Sequence, residues 1–314
     1  MNATGLAGHL SRMSTAGGDL APLTESELDD LRSAAMADDV AIDIEKMRLW
    51  TAEQATAFFE SGGTEEPADT AAVSPQPSVA STSPLGRKPR IALLHGTACN
   101  AAIFRIQLGQ LMRPLKEVAD LFFIDGSLEV DPTTEQAVTM RKFFGEKQTY
   151  MEYARATEDH RGWRTYSLLA EAIQHIEKEL ANLPGGGGAD ALFCFSQGSN
   201  LGTILAARAS LGAAGAPPPF RCVVLLSPTL PGYTSQLPEL FAAPLSTPAL
   251  VLHCKEDTTI RDGPVELGKL WSPEAFTPLE HSGPGHRPLP SAKEDHAMVA
   301  QAITAFIAKN CPQK

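Results

Sequence analysis

The sequence predicts an α/β fold with a doubly wound, mostly parallel sheet and helices on both faces. Residues 90–314 alternate short apolar runs with segments of helical spacing. The runs are rich in Val, Ile, Leu and Phe and show no polar–apolar alternation, which is typical of strands buried on both faces. Strands separated by helices pair in parallel, and right-handed crossovers then place helices on both faces of the sheet.

The elements of this domain follow in chain order. Strands are predicted at 90–95, 121–124, 191–195, 222–226, 249–253 and 276–280. Helices are predicted at 103–115, at 166–180, directly after Ser196, and at 293–309. Residues 127–162 are polar, carry aromatic and charged side chains, and are predicted to be irregular. Sites in such sheets gather at the carboxyl ends of the strands, so the residues that follow each strand matter most.

Two further zones precede this domain. Residues 1–60 are predicted to form a short helical extension, because Thr24-Glu-Ser-Glu27 and Thr51-Ala-Glu-Gln54 match capping boxes. Residues 61–89 are rich in Pro, Ser, Thr and Ala and almost free of large apolar side chains, which predicts a disordered linker. Residues 1–88 hold 14 acidic and 6 basic residues, so most of the acidity lies here. We therefore expect residues 1–60 to be a protein-docking segment on a flexible tether.

Composition excludes several function classes. The net charge of −11 argues against a nucleic-acid partner or an anionic membrane surface. No apolar run approaches the roughly 20 residues that a membrane helix needs, so no integral membrane segment is expected. The cysteine count of 5 is odd and contains no CxxC pair, which favours reduced, buried thiols over a metal site or a disulfide framework. We expect a cytoplasmic protein; an organelle transit peptide, weakly marked by Arg12 and the absence of acids in residues 1–18, is the alternative.

A serine stands at the end of the third predicted strand. Ala191–Phe195 is an apolar run, and Ser196, Gln197 and Gly198 lead from it into a helical pattern. A strand, a sharp turn with serine at its apex and a helix form the nucleophile elbow of an α/β-hydrolase. Cys194 occupies the first glycine position of the usual Gly-x-Ser-x-Gly motif. Ser196 is therefore the candidate nucleophile.

Two other serines are weaker candidates for the nucleophile. Ser199 falls one turn into the helix and is expected to point away from the end of the sheet. Ser227 follows a strand but precedes Pro228 and lacks elbow glycines. Both are interpreted as structural.

The loop after the first strand can supply hydrogen-bond donors. In an α/β-hydrolase this loop provides one oxyanion donor, and the residue after the nucleophile provides the other. The candidates are the backbone N–H groups of Thr97, in the segment His95-Gly96-Thr97, and of Gln197. A plain strand-to-helix turn is the alternative for this loop, and His95 is a candidate brace for it.

A nucleophilic serine needs a histidine base and an orienting acid, which follow it in this chain order. Asp257 lies shortly after the strand at 249–253, with Glu256 and Asp262 as competitors. His286 lies in a glycine-rich loop between the last strand and the closing helix. Two other histidines also follow the acid: His281 is expected to end a strand, and His296 to lie on the closing helix.

Four segments together resemble a family of serine hydrolases that includes small fungal enzymes and the ovarian-cancer-associated gene 2 hydrolase of animals. They are Leu94-His-Gly-Thr-Ala-Cys-Asn100 with Ile103-Phe104, Phe123-Ile-Asp-Gly126, Phe195-Ser-Gln-Gly198, and Glu280-His-Ser-Gly-Pro-Gly-His286 with Pro288. The resemblance covers residues 90–310 and implies an α/β-hydrolase that cleaves carboxylic esters; some members release acyl or polyketide chains as thioesterases. Two positions depart from the family pattern: Cys194 replaces a glycine, and Asp257 lacks the Val-Pro that often follows the family's acid.

The combined hypothesis is ester hydrolysis through an acyl-enzyme, with Ser196, His286 and Asp257 as the triad and no metal or cofactor. The expected partner is a small acyl ester or thioester. A thioesterase or acyltransferase with the same triad and a non-catalytic binding module are the alternatives. Residues 127–162 are a candidate lid or acyl-pocket wall, and ordinary packing is the alternative for their aromatic residues, Phe143, Phe144, Tyr150 and Tyr153.

Overall fold

The structure is a computed structural model that describes residues 87–186, 188–282, 285–290 and 293–312. The helical extension predicted for residues 1–60 lies outside the described residues, as does the predicted linker up to residue 86. None of the helices in the described part of the chain combines the length and the apolar character that crossing a bilayer requires.

The described elements alternate between strand and helix along most of the chain. The strands are β1 (Arg90–Leu94), β2 (Asp120–Ile124), β3 (Leu128–Glu129), β4 (Met151–Glu152), β5 (Arg155–Glu158), β6 (Arg164–Ser167), β7 (Ala191–Phe195), β8 (Cys222–Leu226), β9 (Ala249–Cys254) and β10 (Phe276–His281). The α-helices are α1 (Ala101–Leu108), α2 (Met112–Val118), α3 (Glu135–Phe144), α4 (Leu169–Ala181), α5 (Gln197–Ser210), α6 (Gly263–Gly268) and α7 (Lys293–Asn310).

Six strands form the central sheet in the order β10-β9-β8-β7-β1-β2, and every neighbouring pair is parallel. The chain moves outward from β1 to the edge strand β2 and then returns to β7 on the other side of β1. The strand order therefore reverses between β1 and β7. In an open α/β sheet this switch point opens a crevice at the carboxyl ends of the strands.

Both faces of the sheet carry a hydrophobic core. Successive strand residues point to opposite faces. In β1, Ile91 and Leu93 pack with buried residues of α1, α2 and α7, whereas Ala92 and Leu94 pack with those of α4 and α5. All residues of β1, β7 and β8 are buried, as their unbroken apolar runs predict. The predicted fold class is confirmed.

Two helix predictions are wrong in detail. The helix predicted at 103–115 is divided into α1 and α2 by a 3₁₀ segment at Gly109–Leu111, where Gly109 adopts a positive φ of 41°. A positive φ interrupts a right-handed helix, and glycine adopts it readily. The helix predicted from residue 166 begins at Leu169, because Arg164–Ser167 form β6 and pair with β5.

The predicted irregular segment at 127–162 is partly regular. It contains α3, the pair β3–β4 and strand β5 of the antiparallel hairpin β5–β6. Strands β3 and β4 are two residues long, and β5 (Arg-Ala-Thr-Glu) and β6 (Arg-Thr-Tyr-Ser) consist mostly of polar residues. Neither pattern resembles the apolar runs of the central sheet, so these strands left no hydrophobic signal in the sequence.

Candidate active site

Ser196 sits at a sharp turn between β7 and α5, at the switch point of the sheet. Its φ of 53° lies in the left-handed region, which a residue with a side chain rarely adopts. Such strain costs about 1–3 kcal/mol and persists only where the surroundings impose it. The Ser196 N–H donates to the Leu226 carbonyl of β8 (2.9 Å), and the Gly198 N–H donates to the His95 carbonyl after β1 (3.1 Å). Hydrogen bonds to both neighbouring strands therefore hold the turn.

Two glycines make this turn sterically feasible. A Cβ on Gly198 would lie 2.4 Å from the Leu94 carbonyl oxygen and 2.7 Å from that of His95. A Cβ on Gly202 would lie 2.6 Å from Cys194 Sγ. The second contact explains why cysteine fits where the family motif has glycine: Gly202 leaves the space that the thiol of Cys194 fills.

The structure brings Ser196, His286 and Asp257 into one hydrogen-bonded chain. His286 Nε2 lies 2.7 Å from Ser196 Oγ, and His286 Nδ1 lies 2.7 Å from Asp257 Oδ2. Ser196 and His286 are 90 residues apart in sequence, so the sheet and its loops create this contact. With a proton on Nδ1, the imidazole donates to the carboxylate, and its free Nε2 accepts the serine hydroxyl. That is the tautomer a general base requires.

The carboxylate of Asp257 is held ionised. Burial favours its protonated form, but the hydrogen bond and charge of His286 and the Thr259 N–H at 3.0 Å outweigh burial, so the pKa of Asp257 lies below its ordinary value. A group that stays negative above its lowered pKa can stabilise an imidazolium beside it.

The competing residues lie outside this chain of contacts. The thiol of Cys254 donates to Glu256 (2.7 Å), and Asp262 is the residue before α6. His281 ends β10, with Nδ1 3.1 Å from the Ser282 carbonyl, and His296 on α7 has Nε2 2.8 Å from the Pro290 carbonyl.

The serine alternatives are also engaged away from His286. Ser199 Oγ donates to the carbonyls of Cys194 (3.0 Å) and Leu226 (2.8 Å), and Ser227 Oγ donates to the Arg287 carbonyl at 3.4 Å. These hydroxyls bond to backbone carbonyls and not to the imidazole.

Phe195 supports the imidazole, a contact that the sequence analysis did not predict. Its ring centroid lies 5.0 Å from that of His286, at an interplanar angle of 32°. The ring is confined further, because Phe104 stacks on it at 6.2 Å and a Cβ on Gly96 would lie 3.0 Å from it. The residue before the nucleophile thus joins the base to the hydrophobic core.

The backbone N–H groups of Thr97 and Gln197 have no acceptor among the described residues. Gln197 is the first residue of α5, where helix geometry leaves N–H groups free. The loop that carries Thr97 packs on the nucleophile, since a Cβ on Gly96 would lie 3.1 Å from Ser196 Cβ. Asn100 ends this loop as the cap of α1 by accepting the Ile103 N–H at 2.8 Å. The arrangement offers two free donors beside one hydroxyl.

His95 contacts the loop that it was predicted to brace. Its Nδ1 lies 2.7 Å from the Gly96 carbonyl, and its Nε2 accepts the Gly126 N–H at 3.0 Å. Burial lowers the pKa of His95 to about 4, against smaller opposing effects of the Gly96 carbonyl and Asp125. The ring is therefore neutral, with its proton on Nδ1, and it ties the end of β1 to the end of β2.

The four aromatic residues of 127–162 differ in their surroundings. Phe143 is 74% exposed, and Phe144 is partly buried against the core. Tyr150 and Tyr153 are buried, and their hydroxyls donate to the Gly145 carbonyl (2.7 Å) and the Ile124 carbonyl (2.6 Å). These two tyrosines therefore pack within the fold and do not line an open acyl pocket.

No cluster of three or more His, Cys, Asp or Glu side chains within the described ranges is arranged to hold a metal ion. All five cysteines are free and buried.

Residues 83–298 match the family model described as Serine hydrolase (FSH1), as the motifs predicted. A dihydrofolate reductase of Schizosaccharomyces pombe is 26% identical over 183 residues, which cover 54% of this chain and only 38% of that protein.

Solved structures are similar to this chain. The Zea mays acyl-protein thioesterase 2 is 19% identical, with 71% of this chain and 95% of that chain covered and a TM-score of 0.50. A Bacillus cereus carboxylesterase is 14% identical, with 71% and 92% covered and a TM-score of 0.46. At these identities the likeness to the maize structure is one of fold.

Proposed function

The chain belongs to the Serine hydrolase (FSH1) family, and from that premise we propose that it cleaves carboxylic esters through an acyl-enzyme on Ser196. The observation that carries the proposal is the unbroken chain of contacts from Ser196 Oγ through His286 to Asp257, with 2.7 Å at each step. Nucleophile and base within hydrogen-bond reach, with the base oriented by a third group, are the geometric requirements of this chemistry.

In the first half-reaction, Ser196 Oγ attacks the ester carbonyl carbon while His286 Nε2 takes the hydroxyl proton. The carbonyl oxygen becomes an oxyanion, to which the N–H groups of Thr97 and Gln197 donate. One such donor contributes roughly 3 kcal/mol of transition-state stabilisation. The imidazolium then gives its proton to the leaving alkoxide, the ester C–O bond breaks, and the acyl group remains on Ser196.

In the second half-reaction, water attacks the acyl carbon and gives a proton to His286. The second tetrahedral intermediate uses the same two donors. Its collapse returns the proton to Ser196 Oγ and releases the carboxylic acid. Asp257 holds the imidazole in the required tautomer throughout and stabilises each imidazolium, without itself taking a proton.

A fluorophosphonate probe tests the nucleophile directly, because it phosphonylates an activated serine. We expect the wild type to be labelled at Ser196 and Ser196→Ala to be unlabelled, with turnover of p-nitrophenyl butyrate lower by about 10⁴-fold. Ser199→Ala is the matched control: it removes a buried hydroxyl three residues away that contacts Cys194 and Leu226 instead of His286, and it should keep the label. Undiminished turnover in Ser196→Ala would remove the assignment.

A panel of oxygen esters and thioesters of graded acyl length separates the two substrate classes that one triad can serve. Thioesters belong in the panel because the maize protein of the same fold is named an acyl-protein thioesterase. A kcat/KM at least tenfold higher for thioesters would replace ester hydrolysis with thioester hydrolysis as the activity of this chain.

A further inference from the structure

The segment around Tyr153 contacts the loops on both sides of Ser196. Tyr153 lies in the connection between β4 and β5 and is completely buried. Its hydroxyl accepts the backbone N–H of His95 at 3.0 Å and donates to the Ile124 carbonyl at 2.6 Å. Its ring lies against the His95 imidazole, with centroids 4.7 Å apart. One side chain thus joins the ends of β1 and β2 beneath the loop that carries Thr97.

The other oxyanion loop contacts the same segment through a side chain. Gln197 Oε1 accepts the Tyr153 N–H at 2.8 Å, and Gln197 Nε2 donates to the Ala154 carbonyl at 2.8 Å. The side chain of Gln197 is buried, and both ends of its amide are paired. The side-chain amide of Gln197 thus bonds to the backbone of two consecutive residues, as the backbone of a neighbouring strand would. The residue that offers one free N–H to the substrate is therefore anchored to the segment that supports the other donor.

We propose that Tyr153 is a positioning residue that sets the distance between the two oxyanion donors, the N–H groups of Thr97 and Gln197; this inference rests on the proposed function. The two loops also meet directly, where the Gly198 N–H donates to the His95 carbonyl. That bond holds the peptide between His95 and Gly96. The Tyr153 hydroxyl holds the preceding peptide, between Leu94 and His95, through the N–H of His95, so the backbone is fixed at both peptides where the loop that carries Thr97 begins.

Positioning of this kind acts on the transition state. Donors held in place before the reaction stabilise the oxyanion without a reorganisation cost, and a small displacement weakens that stabilisation. The ground-state carbonyl has little charge and is less affected. A displaced donor therefore lowers kcat and leaves KM nearly unchanged.

The deciding variant is Tyr153→Phe, which keeps the ring and removes the hydroxyl. We expect kcat for p-nitrophenyl butyrate to fall about 10-fold with KM within twofold of the wild type. Affinity for a trifluoromethyl ketone, which forms a tetrahedral oxyanion adduct with the serine, should fall by a similar factor. Tyr150→Phe is the matched control, because it removes one buried hydroxyl from the same part of the chain without touching either loop. Its kcat should equal that of the wild type.

A second variant guards against a Tyr153→Phe chain that does not fold. Gln197→Glu keeps the size of the side chain and the acceptor for the Tyr153 N–H, but it loses the donor to the Ala154 carbonyl. We expect a similar fall in kcat. The kcat of the double variant should fall by less than the product of the two separate fold-changes, because both substitutions weaken the same contacts between the Tyr153 segment and the two loops.

The possible results distinguish a failure of the proposed function from a failure of the positioning role of Tyr153. A wild type that the fluorophosphonate does not label ends the proposed function, and the positioning role ends with it. A labelled, active wild type whose folded Tyr153→Phe variant has unchanged kcat overturns the positioning role alone. A fall in kcat that Tyr150→Phe matches, or that a rise in KM accompanies, also overturns it, because general loosening of the fold would then explain the effect.

Discussion

Two regions hold the candidate site, and they do so by different physics. The elbow, residues 191–202, adds close packing to its backbone hydrogen bonds: Gly198 and Gly202 approach neighbouring atoms so closely that a side chain would overlap them. The insert, residues 127–162, relies on directional hydrogen bonds with distant residues: Tyr153 accepts from His95 and donates to Gln197, 58 and 44 residues away. Close packing restricts which residues the elbow can contain, whereas the support that the insert gives to the site depends on one or two polar atoms.

The strongest test of the elbow is Gly198→Ala. The added methyl would overlap two backbone carbonyl oxygens at the end of β1, which cannot move without shifting the strand. We expect the free energy of unfolding to fall by about 3 kcal/mol, the upper end of the usual cost of overpacking, because the overlapped atoms are rigid. Activity should fall further, because the start of α5 and the Gln197 N–H move together. Urea denaturation and turnover of p-nitrophenyl butyrate measure the two effects.

Gly212→Ala is the control for this test. Gly212 has a positive φ of 60°, and nothing lies within 4 Å of a Cβ placed there. Its substitution carries only the conformational cost of roughly 1–2 kcal/mol and should leave kcat unchanged. Equal losses of stability and activity in the two variants would show that close packing is not what distinguishes the elbow.

The same contrast explains what could be predicted from the sequence. The elbow needs small residues at set positions next to a buried strand, so Ser196 and Gly198 were recognisable in the sequence. Asp257 and His286 follow parallel strands, which places both at one edge of the sheet, although only the structure gives their contact. Tyr153 left no such signal, because its role depends on a hydroxyl that meets residues far along the chain. The same holds for β5 and β6, whose polar residues pair locally without an apolar pattern.

The pH dependence of stability tests the hydrogen bonds beneath the loop. The pKa of His95 is about 4 in the folded chain and about 6.5 in the unfolded chain. Between these values the unfolded chain binds a proton that the folded chain does not, so stability rises with pH. The contribution of His95 is complete above pH 6.5 and lost by about pH 4, and it amounts to about 3 kcal/mol. Protonation of Nε2 would also remove the acceptor for the Gly126 N–H.

His95→Gln isolates this contribution, because glutamine can bond to the same groups without titrating. Urea denaturation of both proteins at pH 7 and at pH 5 should show a loss about 2 kcal/mol larger in the wild type. Asp125, whose carboxylate lies 3.8 Å from the ring, is unchanged in the variant. Parallel losses in the two proteins would mean that His95 is exposed or already charged in the folded chain.

The smallest expected effect concerns the residue that departs from the family motif. If Cys194 and Gly202 share one space, removing the thiol should make room for a methyl on Gly202. Cys194→Ala alone should lower the free energy of unfolding by about 1 kcal/mol through the cavity it leaves. Gly202→Ala alone should lower it by a similar amount, because its Cβ would lie 2.6 Å from Cys194 Sγ.

In the double variant the new methyl occupies the vacated volume, 3.4 Å from the Cβ of residue 194, and a helix interior favours alanine over glycine by about 1 kcal/mol. The double variant should therefore match the wild type in urea denaturation, whereas additive losses would show that cysteine occupies the glycine position for a reason other than reciprocal packing.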